Sequence, residues 1–252
     1  DGLRSGWSPQ QICGRLNAAG TRTEPLHMSH ETIYCALYAM PRGTLRSQLI
    51  ALLRQHRKAR MPRTRGQARC QAVQDITPIA LRPPEVAARI VPGHWEGDLI
   101  KGPANRSAVG TLVERTSRYL MLVKLEGSTA QGVLEGFSRR LKSVPDSLRQ
   151  TLTYDQGSEM ALHRTLAERL RIDIYFCDPH SPWQRGSNEN ANGLVREYLP
   201  KGVDLSQFSR QQLTSIEQSL NSRPRKILGF RTPAEVFNDL KINDVAGVAL
   251  EL

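Results

Sequence analysis

Apolar residues in this chain follow two regimes: helical spacing before about residue 90 and short alternating runs after it. Ile12, Leu16 and Ala19 recur at helical intervals behind Ser8-Pro9-Gln10-Gln11. Ser8 suits the N-cap, Pro9 the first turn, and Gln11 reaches back to the cap. Gly20 closes this helix. Ser29 opens a second, with Ile33 and Leu37 on its apolar side. Two short helices predict a helix-turn-helix, with His30 and Thr32 at the start of the reading helix. The Gly20–Met28 connection is longer than such a turn usually is. Leu45, Leu49, Leu52 and Leu53 mark a third helix over 44–57 with bases on its other side. KARMPRTRGQAR has no apolar period and reads as a linker. Residues 70–92 are rich in Pro and Ala, and the texture changes at Val91-Pro92-Gly93.

Beyond that point HWEGDLI (94–100), GTLVER (110–115) and YLMLVKL (119–125) read as three strands joined by short polar turns. Ser128 opens a helix that buries Val133, Leu134, Phe137 and Leu141. LTYD (152–155) is a strand, 158–170 a helix and IDIYF (172–176) a fifth strand. A polar helix starts near Ser187, another covers 209–221, and Thr232-Pro233-Ala234-Glu235 is a capping box for the last. Three strands followed by strand–helix alternation predict a mixed five-stranded α/β sheet with helices on both faces. The expected domains are a helical basic segment 1–66, a linker 67–91, an α/β module 92–240 and a tail 241–252.

Charge sharpens this division. The 252 residues carry 35 Lys+Arg against 24 Asp+Glu, a net charge of +11. Residues 1–90 hold 14 bases and 5 acids, whereas 91–252 hold 21 and 19. Between Thr32 and Gln74 nine bases and no acid occur, among them Arg57, Lys58, Arg60 and Arg63. A long, single-signed, Arg-rich run points to a polyanion such as DNA rather than to a solvated face. No apolar run is long enough to span a bilayer, and DGLRSGWSPQ is no signal peptide. The start lacks Met and reads as that of a processed chain or a fragment. Cys13, Cys35, Cys70 and Cys177 lie far apart with no CxxC pair, which fits a reducing compartment. His27 and His30 near Cys35 lack a fourth zinc ligand.

Three acids stand out by position. Asp98 ends the first strand and shares a face with Glu96. Asp155 ends the fourth strand, where α/β sheets open a crevice. Glu189 lies on the polar helix opposite the stripe of Ala191, Leu194, Val195 and Tyr198. Converging carboxylates need divalent cations, and two Mg²⁺ ions would clamp an in-line phosphoryl displacement. With 24 acids such a triple also arises by chance, so spacing alone does not decide. Glu96 fits better as the partner of a nearby Arg than as a fourth ligand. Trp183 fits either stacking on an unpaired base or anchoring its Pro-rich loop, beside His180. Arg185 and Arg196, flanking Glu189, suit phosphate contact. Asn188 and Asn190 read as caps rather than DNA contacts, Trp95 and Phe176 as core, and Arg223, Arg225 and Lys226 equally as bases suiting a helix end or as DNA contacts.

The words HWEGDLIKG, TLVERTSRY, TYDQGSEM, FCDPHSPWQRGSNENANGLVREYLPKG and LNSRPRKILGFRTPAEVF resemble the insertion-sequence-30 family of bacterial DDE transposases. Thirty-three residues separate Asp155 from Glu189, as in that family, and the likeness runs from about Gly6 to Asn238. The resemblance implies a ribonuclease-H-like, retroviral-integrase-like core with Asp98, Asp155 and Glu189 as its metal-binding catalytic triad. It also implies two Mg²⁺ ions, replaceable by Mn²⁺, and a further N-terminal helix-turn-helix ahead of GWSPQQI. The expected partners are double-stranded DNA, as element ends and target, and further copies of the chain. The expected location is the bacterial cytoplasm, at the nucleoid. The competing readings are a DNA-binding regulator on an inactive core, disfavoured by the intact triad, and a simple metal-dependent nuclease, disfavoured by the basic arm.

Overall fold

Both sequence-level capping boxes close as hydrogen-bonded pairs in the computed structural model, which describes residues 1–19, 28–41, 43–52, 75–179 and 181–250. Among them the helices are α1 (Pro9–Ala19), α2 (His30–Ala39), α3 (Thr44–Ala51), α4 (Pro84–Ala88), α5 (Ala130–Leu141), α6 (His163–Leu170), α7 (Gly186–Val195), α8 (Arg210–Asn221) and α9 (Pro233–Leu250). The strands are β1 (His94–Lys101), β2 (Ala108–Glu114), β3 (Leu120–Lys124), β4 (Thr151–Tyr154) and β5 (Asp173–Phe176). Arg57, Lys58, Arg60, Arg63, His180 and most of the Gly20–Met28 connection lie outside the described residues. No helix among the described residues is long and apolar enough to cross a membrane.

The chain divides into two compact units, Asp1–Ala68 with Asn221–Val236 and Arg69–Leu220 with Phe237–Leu252. In the first, Ser8 N donates to Gln11 Oε1 at 2.9 Å and Gln11 N to Ser8 Oγ at 3.3 Å, fixing the start of α1. Ser29 caps α2 by accepting from Thr32 N at 3.3 Å. Asn17 links α1 to the residue before that cap, exchanging two 3.0 Å bonds with the Met28 backbone. Residues 221–236 group here because Gln11 Nε2 donates to Pro224 O at 2.7 Å and Arg15 pairs with Glu235. Thr232 and Glu235 cap each other's backbone N–H groups at 2.9 and 3.1 Å to open α9. That helix runs to Leu250, through the stretch expected as a tail.

In the second unit the sheet order is β3-β2-β1-β4-β5. β1 pairs antiparallel with β2 and parallel with β4, β2 antiparallel with β3, and β4 parallel with β5. This is the ribonuclease-H-like arrangement, and all five strands lie within two residues of their sequence positions. Alternation builds a core on each face. Trp95, Leu99 and Leu112 pack with Phe137 and Leu141 of α5 and Leu166 and Leu170 of α6. Ile100, Val109 and Val113 pack with Ala191 and Val195 of α7 and Leu213 and Leu220 of α8. Trp95 Nε1 donates to Leu148 O at 2.9 Å, so the indole is buried without an unmet donor.

Local boundaries depart from the sequence reading in three places. The α5 N-cap is Thr129 rather than Ser128, because its side chain is the one that reaches Gly132 N. The expected 158–170 helix splits into a 3-10 turn at Ser158–Met160 and α6. Asp98 lies inside β1, which continues to Lys101 because the β2 pairing extends to Ala108. Gly97, next to it, has no room for a side chain: a Cβ would lie 2.7 Å from the Tyr154 ring. Gly97→Ala should therefore lower stability by about 1–3 kcal/mol, read from the urea midpoint.

Candidate active site

The parallel pairing of β1 with β4 sets the geometry. Glu96 lies opposite Thr153. Two residues further along each chain come Asp98 and Asp155, on neighbouring strand lines about 4.8 Å apart. Asp155 falls just past the end of β4, where Gly157 N donates to its Oδ1 at 3.2 Å.

α7 crosses the same face of β1. Asn188 N donates to Glu96 Oε2 at 2.9 Å, and Asn188 Nδ2 to Glu96 O at 2.8 Å. Thr111 Oγ1 donates to Asn188 Oδ1 at 3.1 Å. One helical turn later Asn192 Nδ2 donates to Asp98 Oδ2 at 2.9 Å, while Asp98 Oδ1 accepts from its neighbour Leu99 N. Asn188 is therefore a buried latch between helix and sheet, not the cap its position at a helix start suggested. Its spacing of four from Asn192 places both amides on the side of α7 that meets β1.

Arg185 stands between the two aspartates. Its Nη1 lies 3.3 Å from Asp98 Oδ1 and its Nη2 3.2 Å from Asp155 Oδ2. Nη1 also donates to Gly97 O at 3.0 Å. The side chain is buried and turned inward, toward the two aspartates rather than toward the surface. Two carboxylates on adjacent strands draw in the nearest cation. Burial alone would lower the Arg185 pKa, but Asp98 and Asp155 outweigh it and raise it. The Asp98 carboxyl is pushed up, first by burial; Arg185 opposes this and the Asp155 charge adds to it. Arg196 is likewise committed: it donates to Leu199 O and Lys101 O, tying the end of α7 to the end of β1.

Glu189 is exposed on the first turn of α7, three residues before Asn192, while Ala191 and Val195 of the opposite stripe are buried. Among the described residues no three His, Cys, Asp or Glu side chains are close enough together to hold a metal ion. Asp98 and Asp155 are thus brought together by Arg185, while Glu189, exposed on the first turn of α7, does not complete a cluster with them. Carboxylates without a counter-ion repel, and the guanidinium fills the place between two of them. The donor set nevertheless fits a hard cation. The pair already holds a positive group, and Asn192 Oδ1 beside Asp98 is buried with no partner.

Glu96 pairs with Arg115 at 2.9 Å, both almost wholly buried, as expected of a strand-face partner. Trp183 is 72% exposed, so most of its indole is open to solvent rather than packed as a loop anchor would be. His30 and Thr32 are exposed at the start of α2, in the other unit.

An integrase core domain model matches residues 88–182. The chain is 55% identical over 237 residues to the transposase for insertion sequence element IS1086 of Cupriavidus metallidurans, covering 94% of this chain and 70% of that one. It is 41% identical to the transposase InsI for insertion sequence element IS30A of Escherichia coli, covering 93% of this chain and spanning 62% of that relative's length. Among solved structures, the catalytic core domain of BIV integrase aligns with 61% of this chain and 98% of its own, at 20% identity and a TM-score of 0.47. The 55% identity across 70% of the IS1086 transposase carries the assignment: this chain belongs to the insertion-sequence-30 family of transposases.

Proposed function

We propose that the chain cuts DNA at insertion-sequence ends and joins the freed end to target DNA. The observation that supports this best is the Asp98–Asp155 pair on adjacent parallel strands, sharing one cation, with Glu189 on the helix that also holds Asp98 through Asn192. In this reading Asp98, Asp155 and Glu189 hold two Mg²⁺ ions, or Mn²⁺ in their place. When bound, the ions supply an activated water and neutralise charge on the phosphate oxygens. Water first cuts a strand at the element end and leaves a 3′-OH. That hydroxyl then attacks a target phosphodiester and expels another 3′ oxygen. Both steps are phosphoryl transfers with no covalent enzyme intermediate. Asn192 and the Leu99 N–H orient the Asp98 carboxylate, and Trp183 stacks on an unpaired base at the cut. The helical basic segment 1–66 binds and positions double-stranded DNA, with His30 and Thr32 toward the groove. The 92–240 stretch carries the chemistry, and copies of the chain assemble on DNA at the nucleoid.

The test is labelled element-end DNA with Mg²⁺ or Mn²⁺. Nicking plus joining supports the proposal, cutting alone supports a nuclease, and binding alone supports a regulator. DNA affinity should also depend steeply on salt. If the 42–69 arm meets about six phosphates, log K should fall with log salt at a slope of about −5. Replacing Arg57, Lys58, Arg60 and Arg63 by Ala should weaken binding to all sequences alike and flatten that slope. An unchanged slope would make the arm a solvated charge run.

A further inference from the structure

We infer that Arg185 is a built-in counter-ion that occupies the Asp98–Asp155 pair and must leave it before a divalent ion can bind, so that this side chain sets the metal affinity of the site. The inference rests on the reading of the two aspartates as metal ligands.

Three observations carry it. The guanidinium bridges both carboxylates at 3.2–3.3 Å, one Nη to each, and its side chain is only 8% exposed. The aspartates are more open, at 23% and 43%, so an ion can approach from the water side. Arg185 is also incompletely held: its Nε is buried with no partner. A donor left unmet in the buried position lowers the penalty for moving the side chain. Asp98 does not depend on Arg185 for its orientation, because Asn192 and Leu99 N keep their bonds to it.

Deprotonation cannot clear the site. An arginine stays charged near neutral pH, and both carboxylates raise its proton affinity further. The side chain must move instead. Arg185 ends the short 3-10 turn Pro182–Arg185, directly before α7. An ion that displaces a hydrogen-bonded charge pair loses about a decade or more in affinity.

The test is Mn²⁺ titration of the full chain without DNA, followed by calorimetry, together with thermal melts in EDTA and in Mn²⁺. Arg185→Gln should bind Mn²⁺ about tenfold or more tighter than the unaltered chain. It should melt lower in EDTA and regain the difference in Mn²⁺. Arg185→Lys, whose point charge cannot bridge both carboxylates, should lie between the two. Equal or weaker Mn²⁺ binding by a folded Arg185→Gln overturns the inference. If that variant does not fold, Arg185→Lys decides: tighter binding supports the inference, and equal or weaker binding overturns it. Asp98→Asn separates the two readings. If it abolishes Mn²⁺ binding while Arg185→Gln is no tighter, the metal site stands and only the role of Arg185 falls. If it leaves Mn²⁺ binding unchanged, the metal reading fails and the inference with it.

Discussion

Glu189→Gln should reduce strand cleavage and joining by several orders of magnitude while leaving the fold intact. Glu189 is exposed on α7 and belongs to neither apolar core of the sheet. The change keeps side-chain shape and hydrogen bonding but removes a charge and one strong hard-oxygen ligand. In the proposed mechanism both steps use one site, so both should fall together, whereas the melting temperature should barely move. DNA binding should persist or tighten slightly, because negative charge near phosphate is lost. Glu197, beyond the end of α7, is the control: Glu197→Gln should cut and join at near-normal rates. Gel assays with both variants check this. An active Glu189→Gln, or an inactive Glu197→Gln, would remove Glu189 from the triad.

The largest expected effect on stability is at Glu96. Its side chain is 0% exposed and that of Arg115 4%. Burial pulls the Arg115 guanidinium down to about 10, and the Glu96 charge works against that shift. Glu96→Leu would leave the Arg115 charge buried without compensation and remove the acceptor for Asn188 N. Breaking a buried pair in this way costs about 3–5 kcal/mol. Pairing the change with Arg115→Met should recover part of the loss, since an apolar pair of similar size needs no counter-charge. Urea unfolding of the single and double variants measures both. A Glu96→Leu chain as stable as the unaltered one would show that α7 is held mainly by other contacts.

Alternation and capping chemistry were legible without coordinates. The period-two runs placed all five strands, and the Ser8–Gln11 and Thr232–Glu235 boxes formed as their spacing required. Both rest on contacts within a few residues of one another. What sequence could not carry was the direction of a polar side chain. Arg185 beside an acid looks the same whether it faces a phosphate or turns inward to two aspartates more than 25 residues away. Asn188 resembled a cap because amides favour helix starts, yet its partners lie on β1 and β2. The grouping of 221–236 with the N-terminal helices depends on contacts such as Gln11 to Pro224, across 213 residues. Asp155 was easier to place, because the end of a strand is itself a local feature.

The most direct measurement follows one labelled strand. The chain is incubated with DNA carrying the ends of its own element and an unlabelled target, in Mn²⁺ and in EDTA, and the products are separated on a denaturing gel. A metal-dependent triad at Asp98, Asp155 and Glu189 predicts a nicked strand and then a longer joined product in Mn²⁺. Both should be absent in EDTA and in Asp98→Asn, Asp155→Asn or Glu189→Gln chains. Joined product in EDTA, or from any of those three variants at near-normal yield, would contradict it.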